Sequence, residues 1–167
     1  NWMRDPGVAR AVPQRSDVAA RRIISWLTQA PFVLQDADHD FYKRFMRSLA
    51  RQVRALCELQ AENGMWHTVL DDPLSPQESS ATAGIAYGML RGVRMGILND
   101  DVRAHALRTC DAVMARIDDD GLVLAASRGT MLGWDIQYYC DIAVAPVPYA
   151  QALIMLLLLE MQHHRER

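Results

Sequence analysis

The chain has 167 residues, half of them apolar and 23% charged, enough for one ordinary domain with a core and too apolar for a disordered chain. A formal net charge of −2 excludes a globally basic nucleic-acid binder. Three widely spaced cysteines, Cys57, Cys110 and Cys140, with no CxxC exclude a disulfide framework and suit a reducing, cytoplasmic compartment. The charge is unevenly spread: residues 1–54 carry ten Lys/Arg against five Asp/Glu, and residues 55–167 carry eight against fifteen.

Residues 1–15 are polar, with Pro6, Gly7 and Pro13, and read as a loose lead-in. From Ser16 or Asp17, Val18, Ile23, Ile24, Trp26, Leu27 and Ala30 suit a helix that Pro31 ends, and Phe32 to Leu34 follow as an apolar link. Asp38 to Asp40 can cap a second helix running to Asn63-Gly64, so that residues 16–63 form a helical hairpin. Its apolar line is Phe41, Phe45, Leu49, Val53, Leu56 and Leu59 or Gln60. On the other side Arg44, Arg47, Arg51 and Arg54 step by three and four. Such a row is either a solvated helix face or a surface for an anionic polymer.

Gly64 to Pro73 reads as a short extended piece leading into Ser75–Gly96. That stretch opens with Ser75-Pro76-Gln77-Glu78, which has the form of a capping box with proline at the first helical position. Gly84, Gly88, Gly92 and Gly96 then recur every fourth residue on one drifting stripe. An interior glycine costs roughly 1 kcal/mol against alanine, so this pattern predicts an inner helix recovering that cost through close backbone packing.

Asn99 or Asp100 can cap the next helix, whose stripe is Val102, Ala106, Thr109 or Cys110, Val113, Met114 and Ile117. Asp118-Asp119-Asp120-Gly121 lacks the spacing of a calcium loop and reads as a turn. Residues 121–127 suit a short ribbon, and Arg128 to Pro148 a loop. Pro148 then starts a last helix to about His163, apolar nearly all round and so expected to be enclosed on most sides. Pro146 and Pro148 interrupt the uncharged run 142–159, so no membrane span is expected. Five helices with short links predict an all-α fold in one helical domain over 1–167.

Phosphate-binding loops, zinc-ligand spacing, HExxH and a nucleophile elbow are all missing, so no metal or cofactor is expected. What remains is an aromatic and acidic set on loops and helix starts: Trp66, His67, Asp71, Asp72, Glu78, Trp134, Asp135, Tyr138, Tyr139 and Asp141. Rings that stack on sugar faces beside acids that move protons are what a carbohydrate site uses. The same residues could equally fill core gaps and solvate turns.

Gly64-Met65-Trp66-His67-Thr68-Val69-Leu70-Asp71, then Glu78-Ser79-Ser80-Ala81, then Arg91-Gly92-Val93-Arg94-Met95-Gly96-Ile97-Leu98 carry a resemblance. So do Asp120-Gly121-Leu122, Gly129-Thr130, Tyr138-Tyr139 and Pro148-Tyr149-Ala150-Gln151-Ala152, in that order. Over about residues 62–162 the chain resembles the unsaturated glucuronyl and rhamnogalacturonyl hydrolases. Residues 17–60 more weakly resemble the helical domain of heparinase II/III-type lyases. The first resemblance implies helix hairpins of (α/α)-toroid type, here an incomplete ring with one short ribbon over residues 64–167. It implies action on unsaturated uronic-acid oligosaccharides, hydrating the vinyl-ether double bond with an aspartate as acid/base. It also implies that the catalytic aspartates and a W-x-R-G motif belong to an earlier half, and neither stands here at a matching position.

On that footing Trp66, Glu78 and Tyr138 would line the sugar site, and Asp71 and Asp135 are the acids to test as proton donors. The expected partner is an acidic oligosaccharide, with neither nucleic acid nor membrane. Since half a ring exposes apolar edges, three readings stay open: a fragment or hybrid of toroid enzymes, a homodimer that closes the ring, or a compact bundle. A non-catalytic module binding acidic polysaccharide through the arginine face is the alternative function.

Overall fold

The structure, a computed structural model, describes residues 32–131 and 133–165, with Arg22, Ser25, Trp26, Gln29 and Ala30 before them. The lead-in at 1–15 and the helix start at 16–17 lie outside those residues. The helices are α1 (His39–Glu58), α2 (Ser79–Arg94), α3 (Arg103–Met114), α4 (Ile136–Cys140) and α5 (Pro148–Arg165), with a 3-10 turn at Asp100–Val102 before α3. Phe32 to Leu34 are helical too, not a link, because proline restrains the residue before it more than those after it. Phe32 and Val33 are exposed, and only Leu34 packs on the core.

α1 begins as expected, with Asp38 accepting from the Phe41 amide at 2.7 Å. Phe45, Leu49, Val53 and Leu56 are buried, and Trp26 stacks on Phe45 at 4.8 Å between centroids. Arg44, Arg47, Arg51 and Arg54 are all exposed on the other side. The helix stops at Glu58, short of Asn63-Gly64. Gln60 leaves the helical path instead and donates its amide to the Gly64 carbonyl, the His105 carbonyl and Thr109 Oγ1, each at 3.0 Å. Gly64 therefore serves a close approach: its φ is +87°, and a Cβ there would lie 2.7 Å from the Arg108 carbonyl oxygen.

α2 lies between α5 and α3 and packs on both. Its core residues include Ala83, Ile85, Ala86, Met89 and Leu90, with Gly84, Gly88 and Gly92 buried among them. Gly96 is the exception on the glycine stripe. It is exposed, at φ +68°, and terminates the helix. Its amide bonds the Val93 carbonyl at 3.0 Å and the Ile97 amide bonds the Gly92 carbonyl at 2.9 Å, which is a Schellman cap.

α5 presents Ala150, Ile154, Leu157 and Met161 inward. Burying each of the three large side chains is worth about 1.5–3 kcal/mol. Where the sequence predicts a helix enclosed on most sides, the structure covers one face. Met155 (63% exposed), Leu156 and Leu159 form an open outer row. The C-terminal ends of α2 and α5 are tied by Arg94, which bonds both oxygens of the buried Glu160 carboxylate. This bond holds the Arg94 guanidinium above its ordinary pKa.

The start of α3 differs in detail from the sequence expectation. Asn99 precedes the 3-10 turn without a side-chain cap bond, while Asp100 pairs with Arg103 at 2.5 Å. Met114 is 36% exposed and leaves the buried stripe. Asp118 closes the acidic turn on its own backbone, accepting from Asp120 and Leu122. The ribbon over 121–127 reduces to the isolated bridges Ile117–Val123 and Ser127–Val144. Between them Ala125 takes φ +56°, which breaks the extended run. The stretch 128–148 is not wholly loop, since α4 forms within it, capped by Asp135.

Candidate functional site

Two loops meet at the N-terminal end of α2, and a third, residues 128–135, follows the second in the chain. The first, 64–78, reverses on itself through a bridge between His67 and Gln77, with the Thr68 amide 2.7 Å from the Pro76 carbonyl. Ser75 does not cap α2. Its hydroxyl accepts from the Val69 amide at 3.1 Å and donates to the Asp72 carbonyl at 2.8 Å, so it closes the turn before the helix. His67 Nδ1 lies 2.5 Å from the Ser75 carbonyl and carries the proton there.

The cap is Glu78. Its longer side chain folds back so that Oε2 accepts from the Ala81 amide at 2.5 Å, while Oε1 accepts from Ser80 Oγ at 2.7 Å. Oε1 also accepts from the Ser127 amide at 2.8 Å, which carries the second loop onto the helix start. The Ser79 amide and hydroxyl complete that join, donating to the carbonyls of Ala125 and Leu124. Glu78 is only 4% exposed, so its charge rests on these three donors and the positive end of α2.

Trp66 neighbours this knot, its carbonyl accepting from the Glu78 amide at 3.1 Å. Its ring is fully buried and donates Nε1–H to the Leu56 carbonyl at 2.8 Å. It presents no face on which a sugar could stack. The third loop is the exposed one. Met131 and Trp134 project from it, and Trp134 has no shielding at all. Tyr138 and Tyr139 meet edge-to-face at 5.2 Å around Gly133, whose amide donates to Tyr139 Oη at 2.9 Å. A Cβ on Gly133 would collide with the Tyr138 ring, so the turn depends on the missing side chain. Burial, followed by the charges of Asp72 and Asp141, pushes the Cys140 thiol up.

The sequence-predicted residues are thus split. Trp66 and Glu78 are joined but buried. Tyr138 stands partly exposed on α4, and no hydrogen bond links it to either among the described residues. Asp71 is exposed on the first loop, and Asp135 is exposed with Oδ1 accepting from the Tyr138 amide at 2.9 Å. Ser127, Ser80 and Gln60, which fix the loops, were not legible as functional. Only the small-residue run at 125–127 hinted that a backbone passes close to the helix there. Among the described residues no group of three or more His, Cys, Asp or Glu could hold a metal ion, and no helix is long and apolar enough to cross a membrane.

Comparison with known proteins fits this geometry. The sequence profile of Glycosyl Hydrolase Family 88 matches residues 22–164, wider than the span 62–162 and taking in the lyase-like stretch. The chain is 28% identical over 135 residues to the unsaturated rhamnogalacturonyl hydrolase YesR of Bacillus subtilis, covering 80% of this chain and 38% of that protein. It is similar to the crystal structure of a possible GH105 family member from Salmonella enterica, at 34% identity and a TM-score of 0.77, covering 89% of this chain and 39% of that one. A second, from Klebsiella pneumoniae, gives 32% identity and a TM-score of 0.79 over 90% of this chain and 40% of that one. The fold is all-α and of the α/α-toroid type, and the chain spans about two fifths of the length of these relatives. The chain belongs to Glycosyl Hydrolase Family 88.

Proposed function

We propose that this chain supplies part of the oligosaccharide-binding end of an unsaturated uronyl hydrolase and does not by itself carry the proton-transferring aspartates. The observation that carries this reading is the state of Glu78. The buried acid at the N-terminal end of α2 has its oxygens committed to Ala81, Ser80 and Ser127, so it holds loops together and does not shuttle protons. Asp71 and Asp135 are exposed and lie on loops, where a general acid would need an enclosed setting to reprotonate a substrate carbon. The exposed Trp134 and Tyr138 are the rings at this end that remain free to meet a sugar. Incubated with an unsaturated rhamnogalacturonyl disaccharide, the chain is expected to leave the double-bond absorbance unchanged, even at high protein concentration. A steady loss of absorbance that disappears in Asp71→Asn or Asp135→Asn would overturn the non-catalytic part of the reading.

A second reading has its own support. Arg44, Arg47, Arg51 and Arg54 are all exposed on one side of α1, and none is in an ion pair among the described residues. Such a row can track an anionic polysaccharide. It predicts salt-sensitive retention on a heparin column that Arg47→Glu with Arg51→Glu abolishes. Retention that survives the double substitution removes the arginine row from the account.

A further inference from the structure

At the far end of α2 from Glu78 lies a cavity of about 360 Å³, between the second half of α1, the link after Gly96 and the start of α3. The 16 residues of α2 separate the two ends by about 24 Å. The volume falls within the about 300–1,000 Å³ typical of small-molecule pockets. Val53, Leu98 and Val102, all buried, supply apolar wall. The polar lining includes the carboxylates of Glu58 and Asp101 and the imidazole of His105.

The imidazole's role follows from Gln60. Three oxygen acceptors surround the Gln60 amide nitrogen, so Oε1 is the atom that faces His105 Nδ1, at 2.8 Å. Arg108 Nη2 lies 2.9 Å from the same Nδ1 and donates to Gln60 Oε1 at 2.8 Å, so this edge of the ring is fully engaged. Burial and the neighbouring Arg108 hold the ring's pKa below the usual imidazole value. Both carboxylates also act on Cys57, whose thiol is pushed up to about 11, chiefly by burial. All three residues line the cavity, and the thiol stays protonated and unreactive. Neither Glu58 nor Asp101 has an ion-pair or side-chain hydrogen-bond partner among the described residues.

We propose that this cavity binds a small protonated amine with an apolar body, the ammonium meeting Glu58 and Asp101 and the body lying on Val53, Leu98 and Val102. Arg54, also on the lining, disfavours two adjacent positive charges and so favours a monoamine. The ligand class is opposite in charge to a uronate, so the site is separate in chemistry and in place from the sugar end.

The test is a titration of the chain with hexylammonium and, separately, with hexanoate, followed by backbone amide shifts. Saturable shifts confined to residues 50–58 and 97–105 are expected with hexylammonium and not with hexanoate. Glu58→Gln with Asp101→Asn, both at exposed positions that leave the fold intact, is expected to weaken binding by about tenfold, as two partly exposed charge contacts would. Equal binding of hexanoate, no saturable response to hexylammonium, or an unchanged affinity in the double variant overturns the proposal.

Discussion

Replacing Glu78 with alanine is expected to lower the free energy of unfolding by about 3–5 kcal/mol, a large part of what a domain of this size has. The carboxylate is buried and accepts from the Ala81 and Ser127 amides and the Ser80 hydroxyl. Removing it strips α2 of its cap, worth about 0.5–2 kcal/mol. It also strands buried donors at about 1–3 kcal/mol each, partly relieved by water entering the space left behind. Ser80→Ala removes one of the three bonds and should cost only about 1 kcal/mol. Denaturant unfolding of both variants separates the cases. A loss under about 1 kcal/mol for Glu78→Ala would mean that the carboxylate does not hold the second loop to the helix.

The second large effect is at Trp66. Truncation to alanine should cost about 3–5 kcal/mol, as for other fully buried aromatic residues. Trp66→Phe keeps most of the apolar volume but leaves the Leu56 carbonyl without the indole donor, and should cost about 1–3 kcal/mol. Because the ring has no exposed face, sugar affinity in the folded Trp66→Phe protein should equal that of the parent. A selective loss of affinity with stability unchanged would return Trp66 to the sugar site.

Periodicity made the helices legible. The α1 stripe of Phe45, Leu49, Val53 and Leu56, the α2 run of small residues and the start of α5 at Pro148 all follow from spacing and cap chemistry. The turn chemistry around them was harder to read. Ser75 has the residue type and position of a cap, but a glutamate three residues later can do the same with a longer reach, and only the tertiary partner Ser127 decides between them. Gln60 falls at the end of the apolar line by spacing, but its amide donates to the His105 carbonyl and the Thr109 hydroxyl, far away in sequence, which no local pattern reveals. Residues 123–127 have strand composition, yet the positive φ at Ala125 arises where that backbone meets Ser79, again a long-range contact.

The candidate site was legible as a set of residue types and not as an arrangement. Trp66 and Glu78 join at one end of α2, whereas Asp71 lies on the first loop and Asp135 and Tyr138 at α4, a division that residue type alone does not reveal. Burial made that distinction: Trp66 and Glu78 are enclosed, whereas Tyr138, Asp71 and Asp135 remain accessible, as does the neighbouring Trp134. The apolar outer row of α5, with Met155, Leu156 and Leu159 exposed, was not legible from a run that is apolar nearly all round.

The most direct test of the account is a titration of the chain with an unsaturated rhamnogalacturonyl disaccharide, read by backbone amide shifts. The account predicts saturable shifts centred on residues 128–141 and on the 67–75 turn, lost on Trp134→Ala with stability unchanged. No saturable response at millimolar sugar, or shifts confined to the arginine row at residues 44–54, would contradict it.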